Sequence, residues 1–167
     1  MKTQNKSQSK SKVPADGILP EIIRESYRGS EKLLDKKAVI SGGDSGIGQA
    51  VAVHFAREGA DVAIIYKEND DDAEETKKLV EKEGRTCILL KGDISKKNFQ
   101  NKCIQKIKKE WGYLDILVNN AGIQFPKDDI ENISDEQIHQ TFNTNIISMI
   151  SFTRNCLQLM KSGSRII

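Results

Sequence analysis

The sequence is poor in the side chains that bind metals or form disulfides. It has two histidines and three cysteines in 167 residues. Cys87, Cys103 and Cys156 are odd in number, widely spaced and set among apolar residues, which argues against a disulfide framework and against a zinc site. His54 and His139 fall in separate helical patterns, with no cluster at metal-ligand spacing. We therefore predict no metal site, and three buried cysteines that act as small hydrophobic residues.

The chain also lacks a long apolar run. No stretch reaches roughly 18 consecutive apolar residues, the length of a membrane span, and the first residues have no apolar core of a signal peptide. We therefore expect a cytoplasmic protein with no membrane partner. Opposite charges nearly cancel, with 26 Lys and Arg against 24 Asp and Glu and a formal net charge of +2. This balance gives no reason to expect nucleic acid as a partner.

The basic bias of the chain is concentrated at its start. Residues 1–12 carry four lysines and no acid. A segment with so little apolar surface does not offset its ordering entropy, so residues 1 to about 13 are predicted to be disordered. The rest of residues 1–30 is predicted to be a connecting arm, and the domain itself to occupy residues 31–167. The arm has a small apolar cluster that can dock on the domain surface or on a neighbouring subunit: Ile18, Leu19, Ile22 and Ile23.

Short apolar runs alternate with helical patterns along the predicted domain. Four runs are typical of buried strands, and a fifth strand is expected to open near the end of the chain. Ser134 and Gln137 form a capping-box pattern at the start of a helix that is expected to run to about Lys161. The alternation predicts an α/β fold with a parallel sheet in the order 3-2-1-4, with about four strands and a stub of a fifth. The predicted strands are 38–40, 62–65, 87–90, 114–118 and 163–167.

The first strand runs into a glycine-rich turn that precedes a helical pattern. Glycines remove the Cβ atoms that would keep an anion away from the backbone. A helix N-terminus adds free N–H groups and a favourable dipole, so we expect a nucleotide pyrophosphate at this turn. An ordinary glycine-rich loop is the alternative, because turn chemistry also selects Gly, Asp and Ser. The turn reads Ser41, Gly42, Gly43, Asp44, Ser45, Gly46, Ile47, Gly48.

The spacing of the glycines narrows the choice of motif. The turn reads G-x-x-x-G-x-G, which differs from the commonest dinucleotide fingerprint, and it has no Gly-Lys-Ser/Thr of a P-loop. With Ser41 in front, it resembles the T-G-x-x-x-G-I-G turn of the short-chain dehydrogenase/reductase family, with Ser in place of Thr. Two further stretches resemble that family, Asp93-Ile94 after the third strand and N-N-A-G at residues 119–122 after the fourth. The resemblance covers roughly residues 32–167.

The resemblance implies a fold, an activity and a set of site residues. The fold is a Rossmann-like doubly wound parallel sheet, of which this chain is expected to form an incomplete version. The activity is NAD(P)-dependent hydride transfer between the nicotinamide and a small carbonyl or alcohol substrate, in a full-length protein that forms a homo-oligomer. In the family the Asp and the aliphatic residue after it flank the adenine, while N-N-A-G lines the cofactor cleft. The implied cofactor-binding residues are Gly42, Asp44, Ser45, Gly46, Ile47, Gly48, Tyr66, Lys67, Asp93, Ile94, Asn120, Ala121 and Gly122.

The end of the second strand bears on the choice between NAD and NADP. Tyr66 lies 18 residues after Gly48, where NAD-binding proteins usually place an acid that binds the ribose 2′-OH. That acid is missing, and Lys67 stands one residue further on, where it can meet a 2′-phosphate. We therefore predict NADP as the cofactor, with NAD possible. An exposed lysine without a function is the alternative, and the neighbouring Glu68 weakens the inference.

One candidate catalytic residue is carried over from the family. Residues 142–145, Phe-Asn-Thr-Asn, resemble the helix segment in which an Asn interrupts regular helix bonding and holds a water for the proton relay. Ile146 and Ile147 follow as the family pattern expects, so we choose Asn145 over Asn143 for this role. Without the resemblance, a helical Asn that faces solvent would be the simpler interpretation.

The rest of the family's catalytic group has no match in this sequence. The family uses a Ser after the fifth strand and a Tyr-x-x-x-Lys, whose Tyr exchanges a proton with the substrate oxygen. The chain is therefore expected to be a truncated cofactor-binding part of an oxidoreductase, inactive by itself. A dinucleotide-binding module without catalysis, or an inactive gene remnant, is the alternative, and the substrate is not identified. Four residues after Tyr27, Tyr66 and Tyr113 stand Glu31, Asp70 and Leu117.

Overall fold

The computed structural model describes residues 21–167, so the predicted tail and Ile18 and Leu19 of the arm lie outside the described residues. Strands and helices alternate along the described chain. The strands are β1 (Lys37–Ser41), β2 (Asp61–Tyr66), β3 (Cys87–Lys91), β4 (Leu114–Val118) and β5 (Met160–Ile166). The helices are α1 (Gly46–Arg57), α2 (Asp70–Lys82), α3 (Lys97–Glu110), α4 (Asp135–Phe142) and α5 (Ser148–Cys156). A π-helical turn (Asn143–Ile147) joins α4 to α5, and short 3-10 turns span Ile130–Asn132 and Leu157–Leu159.

The five strands form one parallel sheet in the order β3-β2-β1-β4-β5. The predicted order 3-2-1-4 is therefore confirmed, and the fifth strand lies beside β4 as expected. Parallel neighbours need crossover connections, and the helices between successive strands supply them. Because β1 lies inside the sheet, the turn that follows it opens at the middle of the sheet edge.

Each face of the sheet is covered by its own layer of helices. Successive strand residues point to opposite faces, so Ala38 and Ile40 of β1 join one apolar cluster and Val39 joins the other. The first cluster contains the inner faces of α1 and α2, and the second those of α3 and α5. This arrangement makes the fold a doubly wound α/β sheet. Cys87, Cys103 and Cys156 are all buried in these clusters as free thiols, as their apolar surroundings predicted.

The last helix ends earlier than its sequence predicts. The capping box of Ser134 and Gln137 is present at the start of α4. The prediction that the helix runs to about Lys161 is wrong, because β5 begins at Met160, opposite Leu114 of β4. Pairing with a neighbouring strand outweighs the helical propensity of this segment. The register of β5 then shifts before Arg165 pairs with Ile116, so the strand starts irregularly.

The arm before β1 docks on the domain itself. Ile22 and Ile23 pack against the apolar cluster under α1 and α2. Glu58, at the end of α1, accepts hydrogen bonds from the Tyr27 hydroxyl, from the Ser30 N–H at 3.0 Å and from the Lys32 N–H at 3.1 Å. The structure thus favours the domain surface, one of the two docking sites that the sequence left open.

Arg57, the residue before Glu58, binds the arm as a hydrogen-bond donor, whereas Glu58 binds it as an acceptor. The Arg57 guanidinium donates to the backbone carbonyls of Arg24 and Tyr27 at 2.9 and 3.1 Å, and it also pairs with Glu83. At the end of α1, Arg57 therefore supplies a cation for the arm's carbonyls, and Glu58 supplies a carboxylate for its N–H and O–H groups. We call this pair, Arg57 and Glu58, the arm latch.

Loss of the Glu58 carboxylate is expected to release the arm. In Glu58→Gln an NH₂ group replaces one of the two oxygens that face N–H and O–H donors, so part of the latch becomes repulsive. We expect faster tryptic cleavage after Arg24 and Arg28 in the folded protein, measured by mass spectrometry at neutral pH. Glu75→Gln, an exposed acid on α2, is the matched control. Equal cleavage rates in both variants would contradict the latch.

The latch should also depend on pH. The hydrogen bond from Tyr27, with the N–H groups of Lys32 and Ser30, lowers the pKa of Glu58 to about 2 from its ordinary 4.5. The stabilisation is therefore fully present above about pH 4.5 and is lost as the pH falls towards 2. Melting temperatures of wild type and Glu58→Gln are expected to converge over that interval. A difference that stays constant down to pH 3 would show that the carboxylate charge plays no part.

Candidate functional site

A cavity of about 470 Å³ lies at the carboxyl ends of β1 to β4. Parallel α/β sheets bind ligands at this edge, and the volume is in the usual range for small-molecule sites. We call this cavity the cleft. Ten of the thirteen residues predicted to bind the cofactor line it: Gly42, Asp44, Ser45, Tyr66, Lys67, Asp93, Ile94, Asn120, Ala121 and Gly122.

The ends of β1 and β4 are tied together under the cleft by Ser41 and Asn120. The Ser41 hydroxyl accepts hydrogen bonds from the N–H groups of Asn120 and Ala121, each at 3.0 Å, and donates to the carbonyl of Val118. In return the Asn120 side-chain NH₂ donates to the carbonyls of Ser41 and Gly42 at 3.0 and 2.9 Å. These reciprocal bonds fix the glycine-rich turn relative to the N-N-A-G segment.

Helix α1 approaches the same turn very closely. A Cβ at Gly48 would lie 1.9 Å from the carbonyl oxygen of Gly42, which is far inside contact distance. Gly42 itself has a φ of +65° and donates its N–H to the carbonyl of Ile65 at 2.7 Å. Gly48 is therefore required for packing between helix and turn, and Gly42 for the left-handed backbone of the turn. Gly48 does not line the cleft, so its contribution to ligand binding is indirect.

The start of α1 leaves donors free on the cleft side. Ser45 is the N-cap residue, lines the cleft and makes no side-chain capping hydrogen bond. A Cβ at Gly46 would meet no atom within 4 Å, so the space above this residue is open. Neither Gly46 nor Ile47 belongs to the cavity lining, and the Ile47 side chain is 76% exposed. Any role for Gly46 and Ile47 must therefore come from their backbone at the helix N-terminus.

Lys67 lies at the rim of the cleft between two carboxylates. Its Nζ is 3.5 Å from Asp93 and 3.9 Å from Glu68, and the side chain is 60% exposed. Burial works to raise the pKa of Asp93, but hydrogen bonds from Ser95 and the nearby Lys67 outweigh it, so the net shift is downward. Asp93 is thus held as a carboxylate, and Lys67 is held beside it.

Two other groups of the cleft are shifted toward their neutral forms. Burial, followed by the charge of Asp72, raises the pKa of Asp44 above its ordinary value. Burial, followed by a hydrogen bond to Asp70 at 2.9 Å, raises the pKa of Tyr66 to about 12. Asp70 also pairs with Lys91. Tyr66 is therefore neutral at ordinary pH. It lines the cleft as a hydrogen-bonding group and does not act as a base.

Asn145 lies in the π-helical turn, next to the cleft but outside its lining. Its side-chain oxygen accepts from the N–H of Ile123 at 2.8 Å, and its NH₂ donates to the carbonyl of the same residue at 2.9 Å. The predicted break in regular helix bonding is present at this position. The side-chain amide, however, binds the Ile123 backbone. Any water for a proton relay would therefore have to be held by the backbone of the turn.

Six residues line the cleft that the sequence did not predict as site residues. Their backbone positions follow from neighbours that were predicted, since each lies within two residues of one. No motif marks them separately, because side chains at strand ends and loops carry no periodic pattern. They are Ile65, Glu68, Asn69, Gly92, Ile123 and Thr144. Within residues 21–167 no group of three His, Cys, Asp or Glu is arranged to hold a metal ion.

Comparison with known proteins identifies the class of this fold. The short chain dehydrogenase family model matches residues 36–167. General stress protein 39 of Bacillus subtilis is 53% identical over 143 residues, and NADPH-dependent aldehyde reductase 1 of Arabidopsis thaliana is 36% identical over 154 residues. These matches cover 86% and 89% of this chain and 50% and 54% of the relatives. The chain therefore spans about half the length of the curated relatives that it matches.

Similarity to a solved structure supports the same family. A short chain dehydrogenase from Burkholderia cenocepacia, in complex with NADP, is 33% identical with a TM-score of 0.76 over 80% of this chain and 54% of that one. The doubly wound sheet with a glycine-rich turn after β1 defines a Rossmann-like α/β protein. More particularly, the chain belongs to the short chain dehydrogenase family. No helix between residues 21 and 167 is long and apolar enough to cross a membrane.

Because α1 approaches the turn so closely, we expect any side chain at position 48 to destabilise the fold. In Gly48→Ala the new Cβ collides with backbone, which cannot move like a flexible side chain, so we expect a loss of at least about 2 kcal/mol in the free energy of unfolding. Urea denaturation measures this loss. Gly122→Ala is the matched control, because its Cβ would meet its nearest neighbour, Asn145, at 3.6 Å. Equal stability of the two variants would contradict the packing role of Gly48.

Proposed function

We propose that this chain forms the cofactor-binding part of an NADP-dependent oxidoreductase, which moves a hydride between the nicotinamide and a small carbonyl or alcohol substrate. The observation that carries the proposal is the convergence of four strand ends on one cleft: the glycine-rich turn, Tyr66-Lys67, Asp93-Ile94 and the N-N-A-G segment. When bound, the nicotinamide supplies or accepts the hydride. The chain's own residues bind the cofactor, orient it and close one side of its site.

The residues of the cleft fit a dinucleotide. Gly42, Ser45 and the N-terminus of α1 would hold the pyrophosphate, because the Ser45 hydroxyl is uncommitted and the space at Gly46 is open. Asp93 and Ile94 would flank the adenine. Asn120, Ala121 and Gly122 would line the path toward the nicotinamide, where small residues let the ligand approach the backbone closely.

The choice of NADP over NAD depends on Lys67. Tyr66, with its neutral hydroxyl bound to Asp70, occupies the position where an acid would bind an unmodified ribose. Lys67 stands at the rim of the cleft with its charge close to the surface. The Burkholderia cenocepacia neighbour in complex with NADP and the relative named as an NADPH-dependent aldehyde reductase support this choice.

The substrate side and the assembly belong to the same proposal. Asn145 would act in the proton relay through its place in the π-helical turn, with its side chain holding Ile123. Relatives named as an aldehyde reductase and as a glucose and ribitol dehydrogenase support a small carbonyl or alcohol substrate. An exposed apolar face on α4, the π-helical turn and α5 supports homo-oligomer formation by the full-length protein: Phe142, Ile146, Ile147 and Ile150.

Removal of the Lys67 charge is expected to lower the preference for NADP. Lys67→Ala removes one partly exposed charge-assisted contact, so NADP should bind about fivefold more weakly while NAD is unaffected, a change of about 1 kcal/mol. Titration calorimetry with both dinucleotides measures the ratio of dissociation constants. Lys97→Ala, an exposed lysine at the start of α3, is the control. An unchanged ratio in Lys67→Ala would remove the basis for preferring NADP.

The 167-residue chain is expected to bind NADPH without oxidising it in the presence of aldehydes or ketones. None of its three tyrosines is followed four residues later by a lysine, and general acid/base catalysis of this kind contributes roughly a hundred to ten thousand fold. NADPH absorbance with a panel of carbonyl compounds is the measurement. Gly46→Val is the control, because its side chain would occupy the open space proposed for the pyrophosphate and would strain the backbone at a φ of +54°. Steady oxidation that disappears in Gly46→Val would show that the chain contains a proton donor we have not recognised. Binding without turnover is also what a non-catalytic dinucleotide-binding module would show.

A further inference from the structure

Gln100 is a buried polar side chain inside the second apolar cluster. It lies on α3 and is 2% exposed. A buried side-chain amide is costly unless its donors and acceptor are all bound, so its partners indicate what it is fixed to. All of the Gln100 partners belong to two segments, the loop after β3 and helix α5.

One side of Gln100 holds the loop that forms a side wall of the cleft. Its Nε2 donates to the carbonyl of Ile94 at 2.8 Å. The N–H of the same peptide unit, that of Ser95, donates to the Asp93 carboxylate at 2.9 Å. Gln100 therefore binds the carbonyl of the peptide between Ile94 and Ser95, and Asp93 binds its N–H. Asp93 and Ile94 both line the cleft, and Asp93 pairs with Lys67.

The remaining hydrogen bonds of Gln100 connect it to helix α5, and through that helix to Thr144 of the cleft. Its Nε2 also donates to the Ser151 hydroxyl at 2.7 Å, and that hydroxyl can donate to the carbonyl of Ser148 at 3.1 Å. The Ser148 hydroxyl donates to the carbonyl of Thr144 at 2.5 Å. Thr144 lies in the π-helical turn and lines the cleft. The Gln100 oxygen is satisfied by the Asn155 side chain at 3.0 Å.

We propose that Gln100 is a positioning residue that couples the two side walls of the cleft, so that a nucleotide bound against Asp93 and Ile94 also orders the turn around Thr144. The proposal rests on the proposed function, because it takes a dinucleotide as the ligand. The hydrogen bonds join the walls beneath the cleft without contacting its contents. They lie in a buried region where such bonds are strong and where an unmade bond is costly.

The coupling sets Gln100 apart from a residue that only stabilises the fold. Without the amide, the carbonyl of Ile94 loses its donor and the peptide between Ile94 and Ser95 is held from one side only. The wall that faces the adenine then moves independently of the helix that carries Thr144. A purely structural residue would lower stability without changing how one wall responds to a ligand on the other.

The test is hydrogen exchange of the full chain with adenosine 2′,5′-bisphosphate, the adenine half of NADP, as the probe. In the wild type, the probe is expected to slow amide exchange in residues 92–96 and also in residues 143–148. In Gln100→Met, exchange should slow in residues 92–96 only, and affinity should fall about tenfold because the buried carbonyl of Ile94 loses its donor. Gln105→Met, an exposed glutamine on the same helix, should behave as the wild type.

The outcomes separate this inference from the proposed function. If the wild type binds neither the bisphosphate nor NADP, the proposed function is overturned and the coupling with it. If the wild type binds and Gln100→Met still slows exchange in both segments, only the coupling is overturned. If Gln100→Met does not fold, Ser151→Ala removes the hydroxyl through which Gln100 connects to Ser148 and Thr144, while Gln100 stays bound to Ile94 and to Asn155 of α5. It should then bind the probe with near wild-type affinity and lose the response of residues 143–148, and a retained response would overturn the proposal.

Discussion

The carbonyl oxygen of Gly42 sets the geometry of the cleft. It accepts a hydrogen bond from Asn120 of the N-N-A-G segment, and it lies where a Cβ at Gly48 would collide with it. A partly buried carbonyl needs a donor, and here the donor comes from the segment after β4 while the space comes from a missing side chain on α1. The Gly42 oxygen therefore needs both the side-chain amide of Asn120 and the absence of a side chain at Gly48. Strand, turn and helix are fixed together at this point.

The ligand-facing residues depend on this point because they occupy strand ends and turns. Gly42 and Gly43 donate to the carbonyl of Ile65, which joins the turn to β2, and Gly92 donates to Tyr66, which joins the next loop to the same strand. The turn after β1 and the loop after β3 are thus each hydrogen-bonded to β2. Sites held by a rigid scaffold lose less entropy on binding than sites on free loops. The uncommitted Ser45 hydroxyl is an exception, at the place where a phosphate is expected.

The sequence predicted those parts of the molecule that follow from local patterns. The apolar runs of the first four strands and the capping box at Ser134 are local patterns, and the structure confirms both. The early end of the last helix and the docking of the arm depend on partners distant in sequence. Asn145 binds Ile123 across 22 residues, Glu58 binds Tyr27 across 31, and Gln100 binds Ser151 across 51. Polar residues in helices look like solvated positions until the fold brings their partners to them, so no periodicity could have revealed these roles.

The charges at the rim bear on our proposal that Lys67 discriminates between ribose groups. Lys67 is not a free cation waiting for a phosphate, since Asp93 and Glu68 already lie within 4 Å of it. A long exposed lysine loses rotamer entropy when it is ordered, and its pairing with Asp93 restricts the side chain to the rim in advance. A 2′-phosphate would then exchange one anionic partner for another. The free energy of such discrimination is modest, because the new contact of Lys67 replaces an existing one. The position of Lys67 in turn depends on how firmly Asp93 is held by the N–H of Ser95.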